Sequence, residues 1–348
     1  MEWKNIQGVY SSVRTILVQG ACIMPETIKL SVVVPVYNEE AVIIETCKRL
    51  KIVMDSLGET YEIIFVNDGS RDRTAFIINE ICETDKNIKF IDFSRNFGHQ
   101  LAITAGMDYA AGEAIIVIDA DLQDPPEVIP EMVQKWKEGF NVVYGKRLER
   151  KGETIFKKLT ARIFYRLMRQ LTDIDMPVDT GDFRLIDRNV CNALKLVNER
   201  NRYVRGIISW LGFKQTGVEF TREKRYAGET KYPFRKMLRF AFDAISSFSY
   251  KPLKLASYVG FFLSFFSFIY LVIVLYQGIF TNKTTPGWTS TLAVSLMFNG
   301  IVLIMLGIIG GYIGRIYDEA KGRPLYIIRQ LKNLPEETEN GRKNWGSH

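Results

Sequence analysis

The sequence predicts an α/β domain built on a parallel sheet, followed by a pair of membrane-spanning helices. From Leu30 onward, short runs rich in β-branched residues alternate with amphipathic helical stretches, a pattern typical of a sheet with helices on both faces. Polar clusters follow the predicted strands, where open sheets bind their ligands. Towards the C-terminus, residues 255–280 and 288–314 contain no charged residue.

The alternating part of the chain predicts five strands separated by helices. The strands are expected over residues 30–35, 62–66, 88–93, 114–118 and 141–144, and the helices over 40–56, 72–84, 99–111 and 127–138. The polar clusters that follow the first four strands lie at 37–40, 67–70, 94–96 and 119–124. Because the carboxyl ends of parallel strands meet at one edge, we expect these clusters to form a single site.

Composition and charge narrow the class of protein. The chain has 348 residues and a net charge of +7, and many of its Lys and Arg residues lie beside the uncharged stretches. Anionic lipid headgroups explain that placement more simply than nucleic acid does. The four cysteines form no C-x-x-C pair, so neither a zinc site nor a disulfide framework is expected. Two histidines, His99 and His348, are too few for a His-based metal cage or a Ser-His-Asp triad.

The two uncharged stretches are expected to span the plasma membrane as a hairpin. At ~1.5 Å per residue each is long enough to cross a hydrocarbon layer ~30 Å thick. Between them only Lys283 carries charge, whereas residues 235–254 and 315–334 contain five Lys or Arg each. The positive-inside rule therefore predicts that the α/β domain and both termini are cytoplasmic.

Domain boundaries follow from these shifts in pattern. We expect a poorly ordered leader over 1–27, the α/β domain over 28–225, a linker with an amphipathic helix over 226–254, two membrane helices within 255–314 and a cytoplasmic tail over 315–348. A further amphipathic helix is predicted at 154–171. It and the helix at 234–249 carry basic faces, and two interpretations stay open: core helices with solvated basic sides, or helices in the membrane interface with cations on lipid phosphates.

The pair Asp119 and Asp121 carries the most specific chemistry. Two carboxylates one residue apart, directly after the apolar run 114–118, can both face a hard cation such as Mg²⁺ or Mn²⁺. Diphosphate oxygens would complete the coordination of that cation. For Asp124 or Glu127, in contrast, we expect an acidic turn that caps the next helix.

Several motifs together resemble one family. Segments 31–40 (SVVVPVYNEE), 66–72 (VNDGSRD) and 119–126 (DADLQDPP) are similar to the family 2 glycosyltransferases, which have a GT-A (Rossmann-like) nucleotide-sugar-binding domain. Segments 94–98 (SRNFG), 179–185 (DTGDFRL), 228–232 (GETKY) and 311–317 (GYIGRIY) resemble the polyprenyl-phosphate glycosyltransferases, a group that includes the bactoprenol glucosyltransferases and, more distantly, dolichol-phosphate mannose synthase. The resemblance covers about residues 28–330.

The resemblance implies a role for each matching position. The residues expected to bind the nucleotide-sugar are Pro35, Tyr37, Glu39, Asp68, Asp119, Ala120 and Gln123. The metal ligands are expected to be Asp119, Asp121 and Gln123. The cations expected to contact the diphosphate or the acceptor are Arg147, Arg225 and Lys231. Asp179 or Asp182 would orient the acceptor or act as a base, or one of them would pair with a neighbouring cation such as Arg184.

The implied reaction is metal-dependent, inverting transfer of a sugar from a nucleotide-sugar, such as UDP-glucose or UDP-GlcNAc, to polyprenyl (undecaprenyl) phosphate. A lipid phosphate with a second pKa of roughly 6 is already largely ionised at neutral pH, so the protein mainly has to position it. The alternatives are a processive polysaccharide synthase, which would carry a Q-x-x-R-W segment not found here, and a non-catalytic anchor that binds nucleotide-sugar. Glycines 307, 310, 311 and 314 would permit close helix packing within one chain or in a homo-oligomer.

Overall fold

The computed structural model describes residues 28–148, 180–197, 199–200, 202–221, 251–280 and 287–335. Their strands are β1 Leu30–Val36, β2 Tyr61–Asn67, β3 Ile88–Phe93, β4 Ala114–Val117, β5 Val142–Arg147, β6 Thr180–Asp187, β7 Gln215–Phe220 and β8 Ile328–Lys332. Their α-helices are α1 Ile43–Ser56, α2 Thr74–Thr84, α3 His99–Tyr109, α4 Ile129–Lys137, α5 Arg188–Leu196, α6 Val204–Trp210, α7 Lys251–Phe280 and α8 Trp288–Ala320. A 3₁₀ turn, Pro126–Val128, precedes α4.

The five predicted strands and the four helices between them are confirmed, with shifts of a few residues at their ends. The leader 1–27 and the predicted helices at 154–171 and 234–249 lie outside the described residues. Cys47, Cys82 and Cys191 are buried free thiols.

The strands form one mixed sheet in the order β7-β5-β6-β4-β1-β2-β3-β8. Strands β4, β1, β2 and β3 are parallel neighbours, as predicted. The prediction of a parallel sheet was wrong for the outer part, because β6 runs antiparallel between β4 and β5, and β8 runs antiparallel to β3. The sequence of β6 hid this strand, since its buried positions include Arg184, which the period-2 pattern of apolar residues does not mark.

The core lies on both faces of the sheet, as its parallel centre requires. In β1, Val32 and Val34 pack into the cluster beneath α1, α2 and α4, whereas Val33 packs on the other face among residues of α3, α5 and α6. Helix α3 approaches β1 so closely that a Cβ atom at Gly106 would lie 2.2 Å from Val33 Cγ1. The sheet is thus covered by helices on both sides, and its carboxyl edge is left to the loops.

The chain returns to the sheet after α8. Tyr326 stacks on Phe93 with 5.3 Å between ring centroids, and its hydroxyl donates to Asp108. The side-chain amide of Asn333 donates to the carbonyls of Cys82 and Ile88. Residues 315–348 are predicted to form a cytoplasmic tail; within this segment, α8 continues to Ala320 and β8 forms one edge of the sheet.

Helices α7 and α8 include the two uncharged stretches. Among the described residues, Met297–Ala320 is the helical segment long and apolar enough to cross a membrane, and none of its apolar window is buried inside the protein. A shorter apolar segment, Tyr258–Tyr270, lies in α7. Both predicted spans are therefore helical, and one of them has the length and composition of a membrane span.

The close approach of α3 and β1 predicts that Gly106→Ala destabilises the domain. The added methyl group would overpack the core at Val33, which costs about 1–3 kcal/mol, although alanine is otherwise the better helix former by about 1 kcal/mol. Thermal unfolding of the purified protein should show a lower midpoint for Gly106→Ala. The double variant Gly106→Ala/Val33→Ala should lose less stability than the sum of the single variants, and additive losses would contradict this packing.

Candidate active site

The turns that follow β1 and β2 are joined by hydrogen bonds. The amide of Asn38 donates to Ser70 Oγ at 2.9 Å, and Asn38 Oδ1 accepts from the amide of Arg71 at 2.8 Å. Asn38 adopts a positive φ of 55°, which turns the chain sharply after Tyr37. The amide of Glu39 donates to Thr74 Oγ1 at the start of α2. The structure thus brings the predicted clusters 37–40 and 67–70 together.

Asp68 connects this pair of turns to the loop after β3. Its carboxylate accepts from the amides of Phe97 at 2.6 Å and Gly98 at 3.0 Å. Burial raises the pKa of Asp68, and these two backbone hydrogen bonds oppose the rise. Gly69 has a φ of +68°, and a Cβ atom there would lie 2.5 Å from the backbone of Arg95. Only glycine therefore fits between the two loops.

The acidic loop after β4 is fixed by hydrogen bonds to α1 and within the loop itself. Thr46 of α1 donates its hydroxyl to the carbonyl of Ala120 at 2.7 Å, and Asp121 Oδ1 accepts from the amide of Gln123 at 3.1 Å. Leu122, between Asp121 and Gln123, is buried with a φ of 56°, so the loop turns back on itself at this residue. This fixed turn places Asp119, Asp121 and Gln123 in one short loop at the carboxyl edge of the sheet.

Asp119 is the acidic residue of this loop with an enclosed oxygen that lacks a hydrogen bond. Its Oδ1 is enclosed and has no hydrogen-bond partner among the described residues, while the side chain as a whole is 31% exposed. Burial raises the pKa of Asp119 to about 6; His99 opposes the rise, and the neighbouring carboxylates add to it. A cation bound there would favour the charged form.

The fit of a metal ion can be judged from the donors. Within the parts of the chain that the structure describes, no group of three or more His, Cys, Asp or Glu is arranged to hold a metal. The predicted set has two carboxylates, Asp119 and Asp121, and the amide of Gln123. The orphaned oxygen of Asp119 fits a hard cation, and the small number of protein ligands fits one that takes other oxygens from a bound ligand.

His99 and Arg205 are site residues that the sequence analysis missed. His99 opens α3, and its Nε2 lies 3.2 Å from Asp182 Oδ2 and 3.5 Å from Asp119 Oδ1. Arg205 Nε lies 3.0 Å from Asp182 Oδ1. The available signal for His99 was its position directly after the SRNFG segment at a predicted helix start. For Arg205 there was none, because only the pairing of β6 with β4 brings Asp182 near α6.

Asp182, predicted as a possible base, is surrounded by positive charge. Burial raises the pKa of Asp182, but the hydrogen bond to His99 and the charge of Arg205 outweigh this effect and hold the pKa well below its usual range. Burial likewise opposes protonation of His99, yet the bond to Asp182 and the charge of Asp119 raise the pKa of His99. A carboxylate with such a low pKa accepts protons poorly near neutral pH. Asp179 lies outside the described residues.

Arg147 is partly exposed and pairs with a buried carboxylate. Its Nη2 lies 3.1 and 3.2 Å from the two carboxylate oxygens of Asp124, which is 1% exposed, and its guanidinium covers Gly181. The expectation that Asp124 or Glu127 caps the next helix was wrong, because neither α4 nor the 3₁₀ turn has a side-chain cap and Glu127 pairs with Arg49. Arg225 and Lys231 lie outside the described residues.

The sheet, with an acidic pair after β4 and a hydrogen-bonded turn after β2 at the edge where open sheets bind ligands, fits the glycosyltransferase domain that the sequence motifs predict. Comparison with known proteins agrees. Residues 31–195 match the family described as Glycosyl transferase family 2. The chain is 62% identical to "Uncharacterized glycosyltransferase YkcC" of Bacillus subtilis (strain 168), over 88% of this chain and 95% of that protein. The chain therefore belongs to glycosyl transferase family 2.

Two further relatives cover the same length. The chain is 46% identical to "Uncharacterized glycosyltransferase sll0501" of Synechocystis sp., over 88% of this chain and 97% of that protein. It is 41% identical to "Prophage bactoprenol glucosyl transferase homolog" of Escherichia coli (strain K12), over 87% of this chain and 99% of that protein. The resemblance to the bactoprenol glucosyltransferase group is thus confirmed.

The ion pair of Arg147 predicts a stability effect that a ligand-binding role alone would not produce. Arg147→Gln leaves the buried Asp124 without its partner, and such a loss costs up to about 3–5 kcal/mol. Thermal unfolding without any ligand should show a lower midpoint, and the double variant Arg147→Gln/Asp124→Asn should recover part of it. Arg49→Gln, which breaks a pair whose carboxylate, Glu127, is exposed, is the control and should cost less than about 1 kcal/mol. An unchanged midpoint for Arg147→Gln would show that the pair contributes nothing.

Proposed function

We propose that the chain transfers a sugar from a UDP-sugar to polyprenyl phosphate at the cytoplasmic face of the membrane. The observation that carries the proposal is the enclosed Oδ1 of Asp119, which accepts no hydrogen bond and faces only His99 Nε2 at 3.5 Å among the described residues, at the sheet edge shared with the Asp68 turn. The names of the bactoprenol glucosyl transferase relatives support the choice of acceptor.

On this proposal the turns after β1 and β2 bind the nucleoside of the donor. Pro35 is buried at the end of β1, and Tyr37 is 44% exposed directly after it, so its ring is available to a ligand. Asp68 Oδ2 accepts one backbone amide and keeps acceptor capacity for a base N–H. Glu39 would contribute beside them. The choice between UDP-glucose and UDP-GlcNAc depends on sugar contacts that these residues do not define.

Asp119 and Asp121, with Gln123, would hold Mg²⁺ or Mn²⁺ together with the diphosphate. When bound, such an ion stabilises the charge that develops on the leaving nucleoside diphosphate. The protein's part is to present the two carboxylates on a loop already fixed by Thr46, so that little reorganisation is needed. The carbonyl of Ala120 accepts the hydrogen bond from the Thr46 hydroxyl, so Ala120 fixes the loop through its backbone.

The acceptor side of the site would use positioned cations. A lipid phosphate needs placement more than deprotonation, and the candidates are Arg205, which pairs with Asp182, and His99, which lies within 3.5 Å of both Asp182 and Asp119. Asp182 orients these two residues through its ion pairs, and its low pKa makes it unsuited to a base role. Attack by the phosphate without a covalent enzyme intermediate would invert the anomeric carbon.

The proposed location follows from the helices and their flanking charges. Helices α7 and α8 would form a membrane hairpin, and the Lys and Arg residues at 235–254 and 315–334 would keep the catalytic domain and both termini in the cytoplasm. The apolar segment Met297–Ala320 ends beside the domain, because Glu319 accepts from the amide of Arg200 at 2.7 Å. The donor site would then face a bilayer that contains the acceptor.

The metal assignment predicts a large loss of transfer activity on removal of Asp121. Asp121→Ala should reduce transfer from UDP-sugar to undecaprenyl phosphate by roughly 100-fold or more, because several kcal/mol of charge stabilisation are lost. EDTA should abolish activity in the wild-type protein, and Mg²⁺ or Mn²⁺ should restore it. Asp85→Asn, at the opposite end of the sheet and paired with Lys51, is the control and should keep near wild-type activity. Full activity of Asp121→Ala in the presence of EDTA would eliminate the metal role.

The acceptor assignment predicts that the phosphate of the lipid is indispensable. With a panel of labelled UDP-sugars, undecaprenyl phosphate should be glycosylated, whereas undecaprenol should remain unmodified. The rate should rise with pH through roughly 6, where the second phosphate ionisation completes the nucleophile. A single sugar per lipid, of inverted anomeric configuration, would separate this activity from that of a processive synthase, and a complete lack of transfer would favour a binding protein without catalysis.

A further inference from the structure

Strand β8 holds the loop that follows β3. The amide of Ser94, the first residue after β3, donates to the carbonyl of Ile327 at 3.0 Å. Its carbonyl accepts from Arg329 Nη2 at 2.8 Å. Both backbone polar groups of Ser94 are therefore bound by the segment that returns from α8, so this loop begins in a fixed position.

That loop leads directly to the donor site. Three and four residues after Ser94, the amides of Phe97 and Gly98 donate to the carboxylate of Asp68. Between them, the backbone at Arg95 packs against Gly69 with no room for a side chain. A displacement of the loop at Ser94 would therefore move the partners of Asp68.

A second route runs through side chains. Arg329 Nη1 lies 3.4 Å from Oδ2 of Asp92, a carboxylate that is 6% exposed. Asp92 Oδ1 accepts from the side-chain amide of Asn67 at 2.7 Å. Asn67 Oδ1 in turn accepts from the amide of Ser70 at 3.1 Å. This chain of contacts ends in the same turn, 67–70, as the first route.

We propose that Arg329 is a positioning residue of the donor site: through Ser94 and Asp92 it holds the turn 67–70 in the shape that binds the nucleoside. The inference rests on the proposed function, since it assumes that this turn binds UDP. Arg329 does not touch the donor itself. The segment after the apolar helix α8 thereby becomes part of the support of the donor site.

The contacts of Arg329 indicate why its loss would act on binding more than on folding. Its side chain is 59% exposed, so the ion pair with Asp92 by itself adds little stability. Its two partners, however, are the carbonyl of Ser94 and the nearly buried carboxylate of Asp92, and both are connected to the turn 67–70. The neighbouring Lys332 on the same strand contacts Asn79 and Glu83 of α2 instead. Removing Lys332 loosens β8 without touching Ser94 or Asp92.

The test measures UDP affinity of the full-length protein in detergent with Mg²⁺ present, by titration calorimetry. Arg329→Gln should weaken UDP binding about 5- to 20-fold, and Arg329→Lys, which keeps the charge and one contact, should recover part of the loss. Lys332→Met is the control for a looser strand, and Arg323→Gln is the control for lost positive charge. Both variants should bind UDP within about twofold of wild type. In the transfer assay, Arg329→Gln should raise KM for the donor and leave kcat and the KM for the lipid unchanged.

The outcomes separate this inference from the proposed function. Wild-type protein that binds no UDP would overturn the proposed donor and the inference with it. If wild type binds UDP and Arg329→Gln binds it equally well, the inference alone fails. It also fails if Lys332→Met weakens binding as much as Arg329→Gln, because the effect is then a general loosening of β8. If Arg329→Gln does not fold, Asp92→Asn, which keeps an acceptor for Asn67, gives the same comparison.

Discussion

The site depends on how three crowded carboxylates are neutralised. Asp119, Asp124 and Asp182 lie within electrostatic reach of one another at the carboxyl edge of the sheet. Asp124 has Arg147, and Asp182 has Arg205 and His99, whereas Asp119 shares His99 at a longer distance and keeps one oxygen without a hydrogen bond. Because buried charge is costly without a partner, Asp124 and Asp182, which have close cationic partners, are better compensated than Asp119. That asymmetry is what makes the acidic loop a candidate cation site.

The same comparison of ion pairs distinguishes cations that stabilise the fold from cations that are available to a ligand. Arg147 is committed to a carboxylate that is almost completely buried, so its first role is to keep the loop after β4 intact. Arg205 and His99 face Asp182, and His99 Nε2 also lies 3.5 Å from Asp119 Oδ1. Burial lowers the pKa of His99, but the hydrogen bond to Asp182 and the charge of Asp119 raise it. An acceptor that arrives already ionised suits such a surface, because it requires attraction and orientation and no proton transfer.

The sequence was sufficient for the parts of the fold that follow local rules. Strands β1 to β5 are short apolar runs between amphipathic helices, and parallel pairing then forces their polar ends together, so the clusters around Asp68 and Asp119 could be predicted. Strand β6 could not, because its buried positions include Arg184, and because its Asp182 pairs with His99 and Arg205, which are distant in the sequence. The role of Asp124 was wrong for the same reason: a cap is a local interaction, whereas its real partner, Arg147, is 23 residues away. Strand β8, which contains Arg329, Gln330 and Lys332 among its five residues, has the polar character of an edge strand and little apolar signal.

The position of β8 changes how the apolar helices relate to the catalytic domain. The chain leaves the sheet after β7, at one edge, and returns in β8 at the opposite edge, so α7 and α8 are inserted between two strands of one sheet. The connection before α7 is long, 30 residues from 221 to 250, whereas only residues 321–327 separate α8 from β8. At ~3.3–3.6 Å per residue, seven residues span at most about 25 Å. The short connection limits how far the end of α8 can move from the edge strand, and Arg200 adds a direct contact to Glu319. Within the part of the chain that the structure describes, the Asp68 turn and α8 are connected at the C-terminal side, through the segment that also contacts Ser94.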